Sequence, residues 1–286
     1  MATSVSWPGS ERNGRELLAR QSGKVSFLMK SKYRDLIAED KILDFVRVKY
    51  GINKSYDEIL VTDPYYRFIR IIDLIKKMGI VIGNEDAWLD LGCHHGQFLN
   101  LVHRTFNCNL IGIDDWDLKS AMPFAEFEYH ASNLADQEWP ALLRGEKAKF
   151  VSALEVIEHM IDTDQFVHAI GDVVSDDGIL FLSTPNINSL RNRVLVPFGI
   201  YPAYMEFRNQ IHHVRLFNIN AIGKLLHENG FEVRRCIGVS FLPERFLRFP
   251  VLRKVSEILA DYFPALCGSL IVVAIKKDAN QLGQGM

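Results

Sequence analysis

No apolar run in this 286-residue chain is long enough to cross a bilayer. Runs such as LIVVAI (Leu270–Ile275) fall far short of the ~18 residues that a spanning helix needs. Cys93, Cys108, Cys236 and Cys267 are scattered with no C-x-x-C pair, which argues against a zinc knuckle or a disulfide framework. The opening stretch MATSVSWPGSERNGRELLAR lacks the apolar core of a signal peptide, and its glutamates argue against a transit peptide. A reduced, cytoplasmic protein is therefore expected. The formal net charge is −2 and no basic stripe is interleaved with aromatics, so nucleic acid is not an expected partner. Internal repeats and low-complexity tracts are absent too. What is present is an ordinary globular balance, 48% hydrophobic against 24% charged residues.

Three regions follow from composition and rhythm. Residues 1–83 read as a polar arm, to about Gly23, followed by a helical N-terminal extension. Within it YRFIRIIDLIKKMGI spaces Phe68, Ile71, Ile72 and Ile75 by threes and fours and predicts a helix stopping at Gly79. From 84 to 277 short apolar runs alternate with amphipathic segments. The strands expected are Ala87–Leu91, Leu110–Ile113, Phe127–Ala131, Phe150–Leu154, Ile179–Thr184, Phe231–Val239 and Ser269–Lys277, with helices after Gly96 and Gln165. Such alternation implies an α/β fold, a doubly wound and mostly parallel sheet with helices on both faces. The stretch 185–218 has no clear period and is long for a plain connection, so a lid is expected there. Residues 278–286 form a tail.

Ligands of open α/β sheets sit beyond the carboxyl ends of the strands. The loop after the first strand, in WLDLGCHHGQF, lacks both the dinucleotide fingerprint G-x-G-x-x-G and the phosphate-binding G-K-[ST]. Its spacing is D-x-G-x-x-x-G, through Asp90, Gly92 and Gly96. A plain glycine-rich turn would explain this loop taken alone. The second strand, LIGIDDWD, ends in Asp114, and a carboxylate there suits the two hydroxyls of a ribose. Trp116 just beyond could cover an adenine or simply pack. An acid beside the first loop, an acid for a ribose and no phosphate apparatus suit a nucleoside with a zwitterionic tail.

At this point the chain resembles the class I S-adenosylmethionine-dependent methyltransferases. The resemblance runs through LDLGCHHGQF, LIGIDD, ASNLADQEWP, FVSALEVIEHM, ILFLSTPN, HHVRLFN and HENGFEV, roughly Ala87–Lys277. It implies a Rossmann-like sheet of seven strands with the last antiparallel, and S-adenosylmethionine as cofactor. By this resemblance Asp90 and Gly92 line the methionine end, with Gly96 opening the next helix. Asp114 would bind the ribose, and Asn133 and Leu134 would meet the adenine. Two departures stand out: His94 replaces the usual middle glycine and Asn133 the usual aspartate. His94 can still present its backbone, and an amide can still bond the adenine amine. His94 and His95 read as loop and helix-entry residues rather than catalysts.

The second constellation is ALEVIEHM, at the end of the fourth strand. If Glu155 opens a helical turn, Glu158 and His159 share its face, while Val156 and Ile157 point into the core. Acids in a first helical turn also favour the macrodipole, but that does not explain His159. Methyl transfer to a hydroxyl needs alignment and loss of the hydroxyl proton. A histidine with a carboxylate can accept that proton, or a divalent metal can acidify the hydroxyl. E-V-I-E-H looks like the sequence of ubiquinone-pathway O-methyltransferases and of small-RNA 2′-O-methyltransferases; in the latter these side chains and a later histidine hold magnesium. His213 stands at that later position, with His212 the lesser choice. The expectation is thus His159, His213 and Glu158 as catalytic residues. Glu155, Glu158, His159 and His213 are candidate ligands for Mg²⁺, Mn²⁺ or Zn²⁺.

The acceptor is expected to be a small molecule, with a sugar hydroxyl of a glycan or secondary-metabolite precursor placed first. A quinone or phenol is the alternative. RNRVLVPFGIYPAYMEFRNQ and FLPERFLRFPVLRKVSEIL mix arginine with apolar residues, which suits a helix packed on the core or a peripheral contact with a membrane or a lipid-linked substrate. A non-catalytic cofactor-binding protein and a nucleotide-sugar or NAD enzyme on the same fold remain as other classes. The sequence carries no signal for an oligomeric state.

Overall fold

A computed structural model of the chain describes residues 44, 47, 54, 56–115, 127–136, 138–200, 202 and 213–277. The expected arm, Trp116, His212, most of 201–212 and the tail lie outside the described residues. Helices α1 (Tyr56–Ile59) and α2 (Tyr65–Met78) precede strand β1 (Ala87–Leu91). Then come α3 (Gln97–Phe106), β2 (Asn109–Asp114), β3 (Glu128–Ala131), β4 (Ala148–Leu154), α4 (Thr163–Val173) and β5 (Val174–Pro185). The chain continues through α5 (Leu190–Leu195), α6 (Ile219–Glu228), β6 (Phe231–Gly238), α7 (Glu244–Leu247) and α8 (Pro250–Tyr262) to β7 (Ser269–Lys276). The seven strands form one sheet in the order β3-β2-β1-β4-β5-β7-β6. β1 to β5 pair in parallel, and β7 runs antiparallel to both β5 and β6. This is the architecture expected from the alternation and the resemblance.

Both faces of the sheet are covered, which is why its central strands are apolar at successive positions. Trp88, Phe150 and Phe181 point to one face, where they meet Phe68 and Ile71 of α2 and Phe98 of α3. Their neighbours Leu89, Val151 and Leu182 point to the other, against Phe166 and Val167 of α4 and Leu226 of α6. Alternation along a pleated strand thus feeds two separate cores.

α2 is part of the first core. Phe68, Ile71, Ile72 and Ile75 are all buried. It stops where the sequence predicted: Gly79 takes a left-handed conformation (φ 68°), and the N–H groups of Gly79 and Ile80 cap the carbonyls of Lys76 and Ile75. Two arginines interrupt its apolar side. Arg70, only 2% exposed, pairs with Asp261 of α8, which also accepts from Lys77 at 3.1 Å. The ion pairs therefore clamp α2 to the last helix across most of the chain length.

The segment after β5 is less aperiodic than expected. Asn186 donates to the carbonyls of Ala265 and Cys267, Ser189 caps α5 by accepting from the Asn192 N–H, and a single turn over Val196–Phe198 follows. Short side chains that bond their own backbone disguise a helix start as loop composition. The basic-apolar stretch 241–259 folds as α7 and α8, with Ser256 and Ala260 buried and Val251, Val255 and Ile258 exposed. No helix among the described residues is long and apolar enough to cross a membrane.

Candidate active site

Strand order reverses between β1 and β4, and the cleft opens there, beyond their carboxyl ends. It encloses about 500 Å³ and is lined by Asp90, Gly92, His94, Gln97, Glu155, His159 and His213, with Asp63 and Arg67 from the N-terminal segment.

The β1 loop is shaped by backbone. Gly92 adopts φ 73°, and a Cβ there would lie 2.5 Å from Val156 Cγ2, so a side chain is excluded twice over. Gly96 (φ 72°) is closed off by the Phe127 ring, 2.3 Å from where its Cβ would stand. His94, in place of a glycine, takes a left-handed conformation itself (φ 49°) and donates its N–H to Asp114 Oδ2 at 2.7 Å. Histidine tolerates that region better than most residues. His95 is fully buried and does not line the cleft. Asp114 Oδ1 accepts from the Asp115 N–H, so its carboxylate is fixed from both sides at the end of β2.

Asp90 is 3% exposed and accepts a 2.5 Å hydrogen bond from the Ser152 hydroxyl, which in turn accepts from Trp88 Nε1. Burial raises its pKa from 3.8 to about 7, with the Ser152 bond working against the rise and Asp114 adding to it. Burial likewise raises the pKa of Asp114, against the two backbone hydrogen bonds. Asn133 and Leu134 follow β3. Asn133 Oδ1 accepts from the Ala135 N–H, while Leu134 is buried and borders a separate groove with Trp139 and Phe166.

The E-V-I-E-H segment differs from the expected helix face. Glu155 does not open a helical turn: its φ is +58°, its N–H donates to the Ser183 carbonyl, and the one-turn 3₁₀ helix begins only at Ile157. The turn therefore carries Glu158 and His159 without Glu155. Glu155 instead faces Arg67 (Oε1 to Nη1, 3.4 Å) and accepts from the Ser183 hydroxyl. It is removed from the candidate metal set. Glu158, His159 and His213 do come together, each offering a ligand atom within 4.8 Å of the others. Val156 and Ile157 are buried, as expected.

His213 reaches the cluster because the chain after it is stitched to the 3₁₀ turn. The Val214 and Arg215 N–H groups both donate to the Glu158 carbonyl, and the Arg215 guanidinium donates to the Ile161 carbonyl. The His159 and His213 rings then lie edge to face with centroids 4.9 Å apart. Glu158, 1% exposed, accepts from the Thr184 hydroxyl, and its other oxygen lies 3.9 Å from His213 Nε2. Burial first, and the nearby Glu155 second, push its pKa up to about 8. This carboxyl therefore keeps its proton well above the pH at which an exposed glutamate loses it.

Asp63 and Arg67 were not expected in the site. Arg67 is 4% exposed, with Nη2 2.5 Å from Asp63 Oδ2 and Nη1 toward Glu155. The available signal was an arginine at an apolar-side position of α2, since a buried guanidinium needs a carboxylate. Its second partner lies 88 positions away (155 minus 67), beyond what spacing can show.

A family model described as a methyltransferase domain matches residues 65–235, well over half of the chain. The chain belongs to this family. The seven-stranded sheet and the D-x-G-x-x-x-G loop are in keeping with a methyltransferase domain. The chain is 26% identical over 165 residues to the mitochondrial ubiquinone biosynthesis O-methyltransferases of Bos taurus and Homo sapiens. That match covers 54% of this chain and 44% of each relative, so the chain spans less than half the length of the curated relatives it matches. An S-adenosylmethionine-dependent methyltransferase from Clostridium acetobutylicum superposes with a TM-score of 0.51 at 12% identity, covering 78% of this chain and 96% of that one; the likeness is one of fold.

Proposed function

We propose that the methyltransferase transfers a methyl group from S-adenosylmethionine to a hydroxyl oxygen of a small-molecule acceptor. The observation that carries this reading is the group Glu158, His159 and His213: two imidazoles lining the cleft that Asp90 and Gly92 also line, with a buried, perturbed carboxyl beside them. An in-line displacement needs a proton acceptor and alignment, and little else from the protein.

The cleft suits the cofactor. Asp90 and Gly92 would hold its methionine end and Asp114, at the end of β2, its ribose diol; Asn133 would stand on the adenine side, while Leu134 borders the separate groove. Bound there, the cofactor supplies an electrophilic methyl group on a sulfonium. The exclusion of a Cβ at Gly92 and the inward-facing acid Asp90 support this assignment. On the acceptor side, His159 or His213 takes the hydroxyl proton as the oxygen–carbon bond forms, and Glu158 orients the imidazole and offsets its positive charge. The products are a methyl ether and S-adenosylhomocysteine.

A second reading is favoured by the 4.8 Å grouping. Glu158, His159 and His213 would hold a divalent ion, which would acidify the acceptor hydroxyl. A sugar hydroxyl fits the sequence layout, and a phenol or quinone hydroxyl is supported by the likeness to the ubiquinone O-methyltransferases. Calorimetry should show S-adenosylhomocysteine binding, with NAD and ATP failing to bind. Labelled methyl transfer across sugars, phenols and lipid-linked glycans then tests the reaction. Tight NAD binding, or transfer only to nitrogen or carbon, overturns the reading. Full activity after exhaustive EDTA treatment removes the metal; activity restored only by a divalent ion removes the simple base.

A further inference from the structure

A second cavity, of about 620 Å³, lies beside the cofactor cleft. That size is in the range of small-molecule sites. Its walls come from the segments that follow β5 and β6 and the one that precedes β7. Because β7 is antiparallel, all three are at the end of the sheet where ligands bind. Asp63 and Arg67 line both cavities, so the two meet at the ion pair that also reaches Glu155.

The lining is uneven. Asp63 and Arg67 put charge at the junction with the cofactor cleft and the exposed Arg191 and Glu244 add charge elsewhere, while Leu190, Val194, Phe241 and Leu242 contribute an apolar face. Leu190 and Val194, four residues apart on α5, are 45% and 51% exposed and keep a shared apolar face open at the cavity. A bare sugar would set hydroxyls against the apolar faces of Leu190, Val194, Phe241 and Leu242 and gain nothing from them. An aryl or alkyl body would instead bury Leu190 and Val194 on arrival.

We propose that this cavity takes the apolar body of the acceptor, so that the substrate is an amphiphilic alcohol or phenol and not a free sugar. Its hydroxyl end points to the Asp63–Arg67 junction and from there to His159 and His213. The inference rests on the O-methyltransferase reading and adds the substrate class to it.

The test uses head groups with and without an alkyl chain: catechol against hexylcatechol, and methyl glucoside against octyl glucoside, all below their micelle concentrations. Binding is measured on the full chain saturated with S-adenosylhomocysteine, and again without it. The chain should tighten binding by at least about tenfold for one or both heads, since several methylenes leave water. Val194→Asp and Leu190→Asp, both on the exposed side of α5, should each remove that gain while S-adenosylhomocysteine affinity stays as in the parent. Affinity indifferent to the alkyl chain, a gain that survives both variants, or no binding by any of the four compounds overturns the proposal. Failure of the underlying reading looks different: S-adenosylhomocysteine does not bind or no methyl transfer occurs, although the alkyl gain persists in the cofactor-free protein.

Discussion

At the β1–β2 side of the cleft, the groups that face a ligand are held by backbone. Gly92 and Gly96 turn without side chains and the His94 amide fixes Asp114, all within about one strand–helix–strand unit, while Asp90 takes its side-chain partner, Ser152, from β4. At the β4–β5 side the holding groups are side chains drawn from distant parts of the chain. Arg67 comes from α2, His213 from beyond α5, and Thr184 and Ser183 from the end of β5. The first side is shaped by its turns and carries one strongly perturbed acid, Asp90; the second gathers several charged groups in a buried setting. Binding a cofactor needs a fixed shape, while moving a proton needs groups whose ionisation can change.

The comparison breaks most visibly in pH. Asp90 stands at about 7 against 3.8, and Glu158 at about 8 against 4.5. The folded state then holds protons between about pH 4 and 8 that the unfolded chain has released, so stability falls as pH rises through that window and levels off above it. Chemical denaturation of the cofactor-free protein at pH 5 and pH 8 should find it more stable at pH 5. Asp90→Asn and Glu158→Gln should each flatten the slope; an unchanged slope in both would place the burden elsewhere.

Next in size is the clamp between α2 and α8. Asp261→Ala strands the buried Arg70 and should cost ~3 kcal/mol in a urea melt, as expected for breaking a buried pair. If the cost is negligible, Arg70 finds water and α2 is looser than its burial implies. On the acceptor side, His159→Ala and His213→Ala should each lower turnover by about a hundredfold or more with cofactor affinity little changed. A loss confined to one of them would name the base. On the cofactor side, Asp114→Ala should weaken S-adenosylhomocysteine binding about tenfold or more by calorimetry, from loss of a charge-assisted hydrogen bond. An intact fold with unchanged affinity would put the ribose elsewhere.

The same contrast decides what could be read before the fold was seen. The places of Asp90, Gly92 and Asp114 at the ends of β1 and β2 are legible because strand, turn and strand follow each other and the spacing survives folding. The Gly79 stop and the apolar stripe of α2 were legible for the same reason. Glu155 misleads because a helical turn was assumed where a left-handed residue intervenes, and nothing in A-L-E-V-I-E-H marks that φ. Asp63 and Arg67 went unnoticed because the contact that gives them meaning joins α2 to the end of β4. α5 was read as loop because Asn186 and Ser189 suit turns and caps alike.

The hydrogen-bonded line from Trp88 through Ser152 to Asp90 makes the cleft optically active in a useful sense. Trp88 is fully buried, stacked on Phe181 at 5.2 Å and Phe150 at 5.4 Å, with its indole N–H committed to the Ser152 hydroxyl. An indole in so apolar and fixed a setting emits at short wavelength, and the charge on Asp90 lies two hydrogen bonds away. Proton loss from Asp90, or arrival of a cationic ligand beside it, changes the field across that ring. The protein thus carries its own fluorophore two hydrogen bonds from Asp90. Replacing Trp139, the other tryptophan among the described residues, with Phe would leave Trp88 emission free of that second buried indole.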